Sequence, residues 1–270
     1  MRLTFAAKQF VPPIVLRALR NMRSDRGIMY EGDYPSWQVA TKAAGGYDAP
    51  AILNRVREAA RKVKRGKAVF ERDSVCFDHE EYRWPTLACL MRVAAEHEGK
   101  LRVLDFGGAL GSFYYQHKKH FAHLKEVRWA VVEQPHYVVC GQDEFQDDVL
   151  QFHETIEDCL EHGEIDVIFC SSVLQYLESP YAMLASFAKS GAPCILLDRT
   201  PFIAGEKDRL TVQNIAYWNN AKIPAWFFLE NNIMTLLDEA GYSLCVKFPS
   251  NDEANLDSVF QGMLFSRNGG

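Results

Sequence analysis

The residues best suited to chemistry lie in LRVLDFGGALGSFYYQ and in the VVEQPH that follows it. Asp105 precedes Gly107, Gly108 and Gly111, and Ser112 stands where a helix is expected to begin. Glycines in such a turn let the backbone bend tightly and approach a ligand without Cβ clashes. The helix start adds unpaired N–H groups and positive dipole character. At the end of the next apolar run, Glu133 can accept two hydrogen bonds from a ribose diol. These types in this order point to a nucleoside-bearing cofactor at the carboxyl edge of a sheet.

A dinucleotide loop reads GxGxxG, but here Ala109 stands at the second glycine and Ser112 at the third. The alternative is DxGxGxG, the pattern of S-adenosylmethionine enzymes. Asp105, Gly107 and Gly111 fit it, and Ala109 replaces the middle glycine. Asp105 would face the methionyl ammonium or order water there. S-adenosyl-L-methionine (SAM) is therefore the expected cofactor. The plain alternative is a glycine turn that only packs helix on strand.

These residues need a strand, a turn and a helix, and the sequence from residue 101 supplies them. LRVLDFG, RWAVVEQ, Leu150–His153, IDVIFCSS and PCILLDRT read as five strands, and PYAMLASFAKSG and LENNIMTLLDEAG read as helices between or after them. Short β runs alternating with helices indicate a parallel sheet covered on both faces. YSLCVKFPS and SVFQGMLFSR form a closing, hairpin-like antiparallel pair. The expected fold class is α/β: a Rossmann-like class I methyltransferase with a mostly parallel sheet and a helical N-terminal cap. Residues 1–98 would be the cap and substrate-side region, and residues 99–270 the SAM-binding domain. In the cap, residues 50–65 and 84–97 read as helices, and Ser36 as the N-cap of a shorter one. Residues 3–23 read as a basic amphipathic helix, either a peripheral membrane contact or an ordinary helix docked on the body.

Ligands sit outside the carboxyl ends of parallel strands, which distributes the other roles. Gln134, Pro135 and His136 would run beside the adenine, with Thr155 and Ile156 as further contacts. Ser171, Ser172, Gln175 and Tyr176 would border the methionyl portion. Methyl transfer is an in-line displacement, so the protein aligns and desolvates the acceptor, and a hydroxyl acceptor also needs a base. Candidate catalytic residues are Asp198, Tyr176 and Asp208. Arg199 and Arg209 could clamp an anionic group. Tyr34 and Trp37, with Asp33, Arg72 and Asp73, could complete the acceptor pocket. The stretch DRLTVQNIAYWNNAKIPAWFF sits where a substrate lid is expected, and its Tyr217, Trp218, Trp226, Phe227 and Phe228 could stack on a sugar. The plain alternatives are surface ion pairs and packing.

Composition sets outer limits. With 270 residues, 48% apolar and 24% charged, the chain is globular, neither disordered nor collagen-like. No apolar run approaches the roughly 18 residues of a spanning helix, and the first residues lack a signal-peptide layout. Seven dispersed cysteines without a CxxC pair fit a reducing cytoplasm better than disulfides or zinc, so no metal is expected. Residues 1–75 carry 15 Lys+Arg against 7 Asp+Glu, and residues 76–270 carry 15 against 28. An acidic body argues against nucleic acid as partner and leaves a small-molecule or glycan substrate. The basic part could meet an anionic lipid surface, an anionic substrate or the acidic body.

GDYPSWQVA, GYDAP, KVKRGKAVFERDSV, VLDFGGALGSFYYQ, VVEQPH, SSVLQYLESPYAML, DRTPF and DRLTVQ together resemble a family of SAM-dependent methyltransferases associated with bacterial surface-polysaccharide gene clusters. The resemblance runs from about residue 30 to the end. It implies a cytoplasmic enzyme acting on a sugar or a lipid-linked glycan precursor; any contact with the inner face of the membrane would be made by the basic segment 3–23. The rival readings are a NAD(P)-dependent sugar oxidoreductase or epimerase, a methyltransferase aimed at RNA or protein, and a non-catalytic scaffold on the same fold.

Overall fold

A computed structural model describes residues 28–45, 49–72, 74–216 and 221–269. The expected helix over residues 3–23, Asp73, Tyr217 and Trp218 lie outside the described residues. The chain begins with β1 (Ile28–Glu31), α1 (Trp37–Ala44), α2 (Ala49–Lys64), a hairpin of β2 (Phe70–Arg72) and β3 (Val75–Phe77), and α3 (Trp84–Glu96). Strands and helices then alternate: β4 (Lys100–Phe106), α4 (Ser112–Phe121), β5 (Glu126–Val132), α5 (Pro135–Glu144), β6 (Leu150–His153), α6 (Ile156–Glu161) and β7 (Val167–Ser171). A 3-10 turn at Leu174–Tyr176 leads to α7 (Pro180–Lys189), β8 (Cys194–Ile203), β9 (Arg209–Ile215), β10 (Ala221–Phe227), α8 (Glu230–Glu239), β11 (Tyr242–Pro249) and β12 (Ser258–Arg267).

Seven strands form the central sheet in the order β11-β12-β8-β7-β4-β5-β6. The strands β4 to β8 run parallel to one another, and β12 runs antiparallel to both β8 and β11. The sheet is mixed, as the closing pair implied. Its strands read as continuous apolar runs because each alternates between two cores. Trp129, Val131, Val167, Phe169, Leu196 and Leu264 pack on one face. Ala130, Val132, Ile168, Cys170, Ile195 and Met263 pack on the other.

The N-terminal cap is not wholly helical, which corrects the expectation. Strand β1 pairs antiparallel with β9, Tyr30 opposite Gln213, and β10 completes a separate three-stranded sheet. A four-residue strand is too short to carry a periodic signal, and its partner lies far along the chain. Strand β10 packs on the 3-10 turn after β7, where the Trp226 indole donates to the Leu177 carbonyl at 3.1 Å. The expected lid is thus a hairpin over that strand end. Part of the N-terminal basic charge meets the acidic body: Arg57 and Arg61 of α2 each donate to Glu144 of α5 at 2.6 Å.

Candidate active site

Counting only the parallel strands, the order reverses between β4 and β7, and such a switch point opens a crevice at the carboxyl edge. The Gly107–Gly111 loop sits there. A Cβ on Gly107 would lie 2.5 Å from Val173, one on Gly108 2.4 Å from the Asp105 carboxyl, and one on Gly111 2.9 Å from Leu150. Glycine is therefore required first by the protein's own packing. Ala109 takes φ 52°, a left-handed conformation that costs a non-glycine residue about 1–2 kcal/mol. It keeps the backbone shape that glycine would give the motif, so its identity does not favour a degenerate scaffold.

An open cleft lies over this loop. Asp105, Gly107, Gly108, Ala109, Ser112, Phe113, Gln116, Tyr137, Phe169, Ser171 and Arg199 line it. Ile52, Val56, Glu71, Arg72, Ser74 and Arg83 of the N-terminal region also line it. The N-terminal region therefore walls the glycine-loop cleft, not only the acceptor side where Arg72 was expected. Ser74 (φ 68°) and Arg199 (φ 53°) hold left-handed backbone beside Ala109, and Ser172 (φ 59°) directly follows the lining residue Ser171. Such strain persists only where surrounding structure imposes it.

Asp105 is 2% exposed and accepts one hydrogen bond, from the Trp129 indole to Oδ2 at 2.9 Å. Burial pushes its carboxyl up to about 7; the Trp129 bond opposes this and the nearby Glu133 charge adds to it. Glu133 stands just past β5, beside the cleft lining. Burial also raises its carboxyl, against N–H bonds from Gln134 and Ala109. Those bonds fix the carboxylate against the loop, and its remaining lone pairs are available to a diol.

No family model and no curated protein matches this chain. Among solved structures it is similar to magnesium protoporphyrin IX methyltransferase (ChlM) of Synechocystis PCC 6803 with bound SAH. The TM-score is 0.50 and the identity 14%, over 82% of this chain and 100% of that one. The fold is the class I methyltransferase fold. The N-terminal domain of EvdMO1 in the presence of SAH and D-fucose (TM-score 0.48, 16% identity, 82% of this chain and 97% of that one) is a further similar structure. So is CalS10, an amino pentose methyltransferase from Micromonospora echinaspora (TM-score 0.45, 12% identity, 79% and 97%).

On this class I fold the sequence-expected residues separate into two groups. Asp105, Gly107, Gly108, Ala109, Ser171 and Arg199 line the cleft. Gly111 and Gln134 cap α4 and α5, and Pro135 opens α5. His136 packs against Tyr137, ring centres 5.0 Å apart, and Thr155 caps α6. Ser172 accepts a hydrogen bond from Gln175 at 3.1 Å.

Asp198, a candidate base from the sequence, lies within a dense hydrogen-bond network. It is fully buried and accepts from Arg83 (3.0 and 3.1 Å), the Thr86 hydroxyl (3.0 Å), the Ser171 hydroxyl (3.3 Å) and the Arg199 N–H (2.9 Å). Asp208 accepts from Leu229 N at 2.6 Å, Asn232 at 3.2 Å and the Tyr181 hydroxyl, which pins the start of α8. Arg209 donates to the Gly32 carbonyl at 3.0 Å. Tyr34 and Trp37 pack on Leu210, Val212 and Trp226. None of Asp208, Arg209, Tyr34, Trp37 and Tyr176 lines the cleft.

Sequence reasoning missed Glu71, Ser74, Arg83 and Asp252. Arg199 pairs with Asp252 at 2.9 Å. Burial raises the Asp252 carboxyl, but Arg199, Ser250 and Arg83 outweigh it and hold the group down at about 2. Only the Pro85 that marks the start of α3 hinted that Arg83 sits at an element boundary.

Proposed function

We propose that the chain is a SAM-dependent methyltransferase that methylates an oxygen of a sugar, a glycan precursor or another polar small molecule. The observation that carries this reading is the switch-point cleft of a class I fold, where the Gly107–Gly111 loop, the buried Asp105 carboxyl and Glu133 meet at one strand edge. The donor set suits a nucleoside with a cationic amino-acid tail and no phosphate. Gly107, Gly108, Ala109 and Gly111 would shape the floor, Glu133 would hold the ribose, Gln134 and Pro135 would flank the adenine, and Ser171 and Ser172 would border the methionyl end. The cofactor, when bound, supplies a methyl group on a sulfonium.

The protein's part is alignment and exclusion of water. Residues 1–98 act as the cap and residues 99–270 as the cofactor domain. Asp198, Asp208 and Tyr176 are the candidate bases; the two aspartates are each held by several donors, and Tyr176 is likewise engaged. It interacts with Tyr30, in a cluster that also holds Phe227 and Phe260, near Arg199 and Asp252. Arg199 would orient an anionic group on the substrate. The resemblance to polysaccharide-cluster methyltransferases supports the sugar or lipid-linked acceptor and a cytoplasmic site of action. Among the described residues no helix is long and apolar enough to cross a membrane.

The test is calorimetry with SAM, S-adenosylhomocysteine (SAH) and NAD, followed by tritium-methyl transfer to nucleotide-sugars and lipid-linked glycans. The expected result is binding of the two adenosyl compounds and label on a sugar oxygen. Binding of NAD instead, or label on none of these acceptors, would defeat it.

A further inference from the structure

Away from the cleft, three side chains able to ligate a metal converge at the edge of the central sheet. His153 ends β6, the outermost strand, and Asp158 and His162 follow one turn apart on α6 and at its end. Thr155 fixes this turn, since its hydroxyl accepts the Asp158 N–H at 3.0 Å. The Asp158 carboxylate then faces two imidazoles: His153 Nδ1 lies 2.9 Å from Oδ2, and His162 Nδ1 lies 3.3 Å from Oδ1. One ligating atom from each residue falls within 4.8 Å of the other two. None of the three residues lines the glycine-loop cleft.

The surroundings favour a cation. Among the described residues no Lys or Arg pairs with Asp158, and Arg128 instead donates to the Cys159 and Glu164 carbonyls. Residues 129–188 contain no Lys or Arg, whereas Glu154, Glu157 and Glu161 accompany Asp158 on or beside α6. His153 is 6% exposed, and its Nε2 has no hydrogen-bond partner among the described residues, so its ring has no polar commitment except to Asp158. The His162 side chain is 60% exposed and has room to turn toward the other two. Two imidazoles and one carboxylate are a donor set for zinc, whereas Mg²⁺ and Ca²⁺ prefer shells of oxygen. Zinc bonds of about 2.0–2.2 Å place neighbouring tetrahedral ligands about 3.3 Å apart, close to the two separations on Asp158. We propose that His153, Asp158 and His162 bind a zinc-class divalent cation, with water in the fourth position. The ion clips α6 to the edge strand at the end of the sheet that carries Glu133, whose N–H donates to the His153 carbonyl at 3.1 Å. The site uses none of the seven cysteines, and it does not depend on the SAM reading.

The test titrates Zn²⁺ by calorimetry into the full-length protein, first stripped with EDTA and dialysed, for the wild type, His162→Ala and Asp158→Asn. The wild type is expected to bind one equivalent and to unfold at higher urea once Zn²⁺ is added. Each variant is expected to lose at least about tenfold in Zn²⁺ affinity. His162→Ala alters an exposed side chain, so its metal-free urea midpoint should match the wild type and show that it is folded. Excess Mg²⁺ should not displace the ion. No saturable Zn²⁺ binding by the wild type, undiminished affinity in His162→Ala, or displacement by Mg²⁺ overturns the assignment.

Discussion

Arg83 and Asp198 form a two-pronged ion pair, with Nε and Nη2 at 3.0 and 3.1 Å from the two carboxylate oxygens. Asp198 is fully buried and the Arg83 side chain is 14% exposed. Arg83 immediately precedes α3 and Asp198 lies within β8, so the pair fastens the N-terminal wall of the cleft to the sheet. Arg83 also donates to Ser250 at 3.1 Å, and Ser250 donates to Asp252 at 2.6 Å. One hydrogen-bonded chain therefore joins both arginines on the cleft's rim.

Removing one partner of a buried pair leaves the other charge uncompensated. Asp198→Asn should lower the unfolding free energy by about 3–5 kcal/mol, read from the urea midpoint. If Asp198 were instead a free base, the variant would keep its midpoint and lose only turnover.

His117 is fully buried. Its Nε2 accepts the Arg83 N–H at 3.1 Å and its Nδ1 faces the Phe113 carbonyl at 2.9 Å, so it is the neutral Nδ1–H tautomer. Burial pushes its imidazole down to about 4, against the Phe113 bond and with help from His120, Arg83 and Arg72. The unfolded chain therefore binds this proton more readily. The stability it contributes is present above about pH 6.5 and lost as pH falls toward 4, by up to about 3 kcal/mol. Urea titrations of the wild type and His117→Gln between pH 7 and 4 should show a steeper decline in the wild type; parallel curves would contradict the assignment.

Asp105 has the opposite sign. Its folded carboxyl is raised to about 7, so its contribution is fully present below about pH 4 and lost as pH rises through 7. Asp105→Asn should stabilise the ligand-free protein at pH 8 by up to about 4 kcal/mol while weakening SAH. A stabilised variant that still binds SAH as tightly would remove Asp105 from the cofactor subsite.

Two glycines separate conformational from steric demand. Gly45 has φ +79° with nothing within 4 Å of an added Cβ, whereas Gly108 would place its Cβ 2.4 Å from the Asp105 carboxyl. Gly45→Ala should cost about 1 kcal/mol and leave SAH binding intact. Gly108→Ala should cost about 1–3 kcal/mol and weaken SAH by tenfold or more. Equal effects on binding would place the cleft elsewhere.

The sequence by itself determined the local frame. Apolar runs, glycine turns and helix caps are short-range signals, so β4 to β8, the closing pair β11–β12, the glycine loop and Ser36 as a cap were legible from residues close together in the chain. It also singled out Asp105, Gly107, Gly108, Ala109, Ser171 and Arg199, which the fold brings to one cleft, because strand ends in a parallel sheet share an edge whatever lies between them. Only the tertiary structure decided which charge meets which. Asp198, Asp208 and Arg209 read as candidate bases and a substrate clamp, and each is engaged within the protein. Glu71 and Arg83 were given no role by their local sequence, yet they line the cleft. Periodicity specifies that a residue faces inward; the partner it finds there depends on contacts between distant segments, such as β1 on β9, which no local pattern encodes.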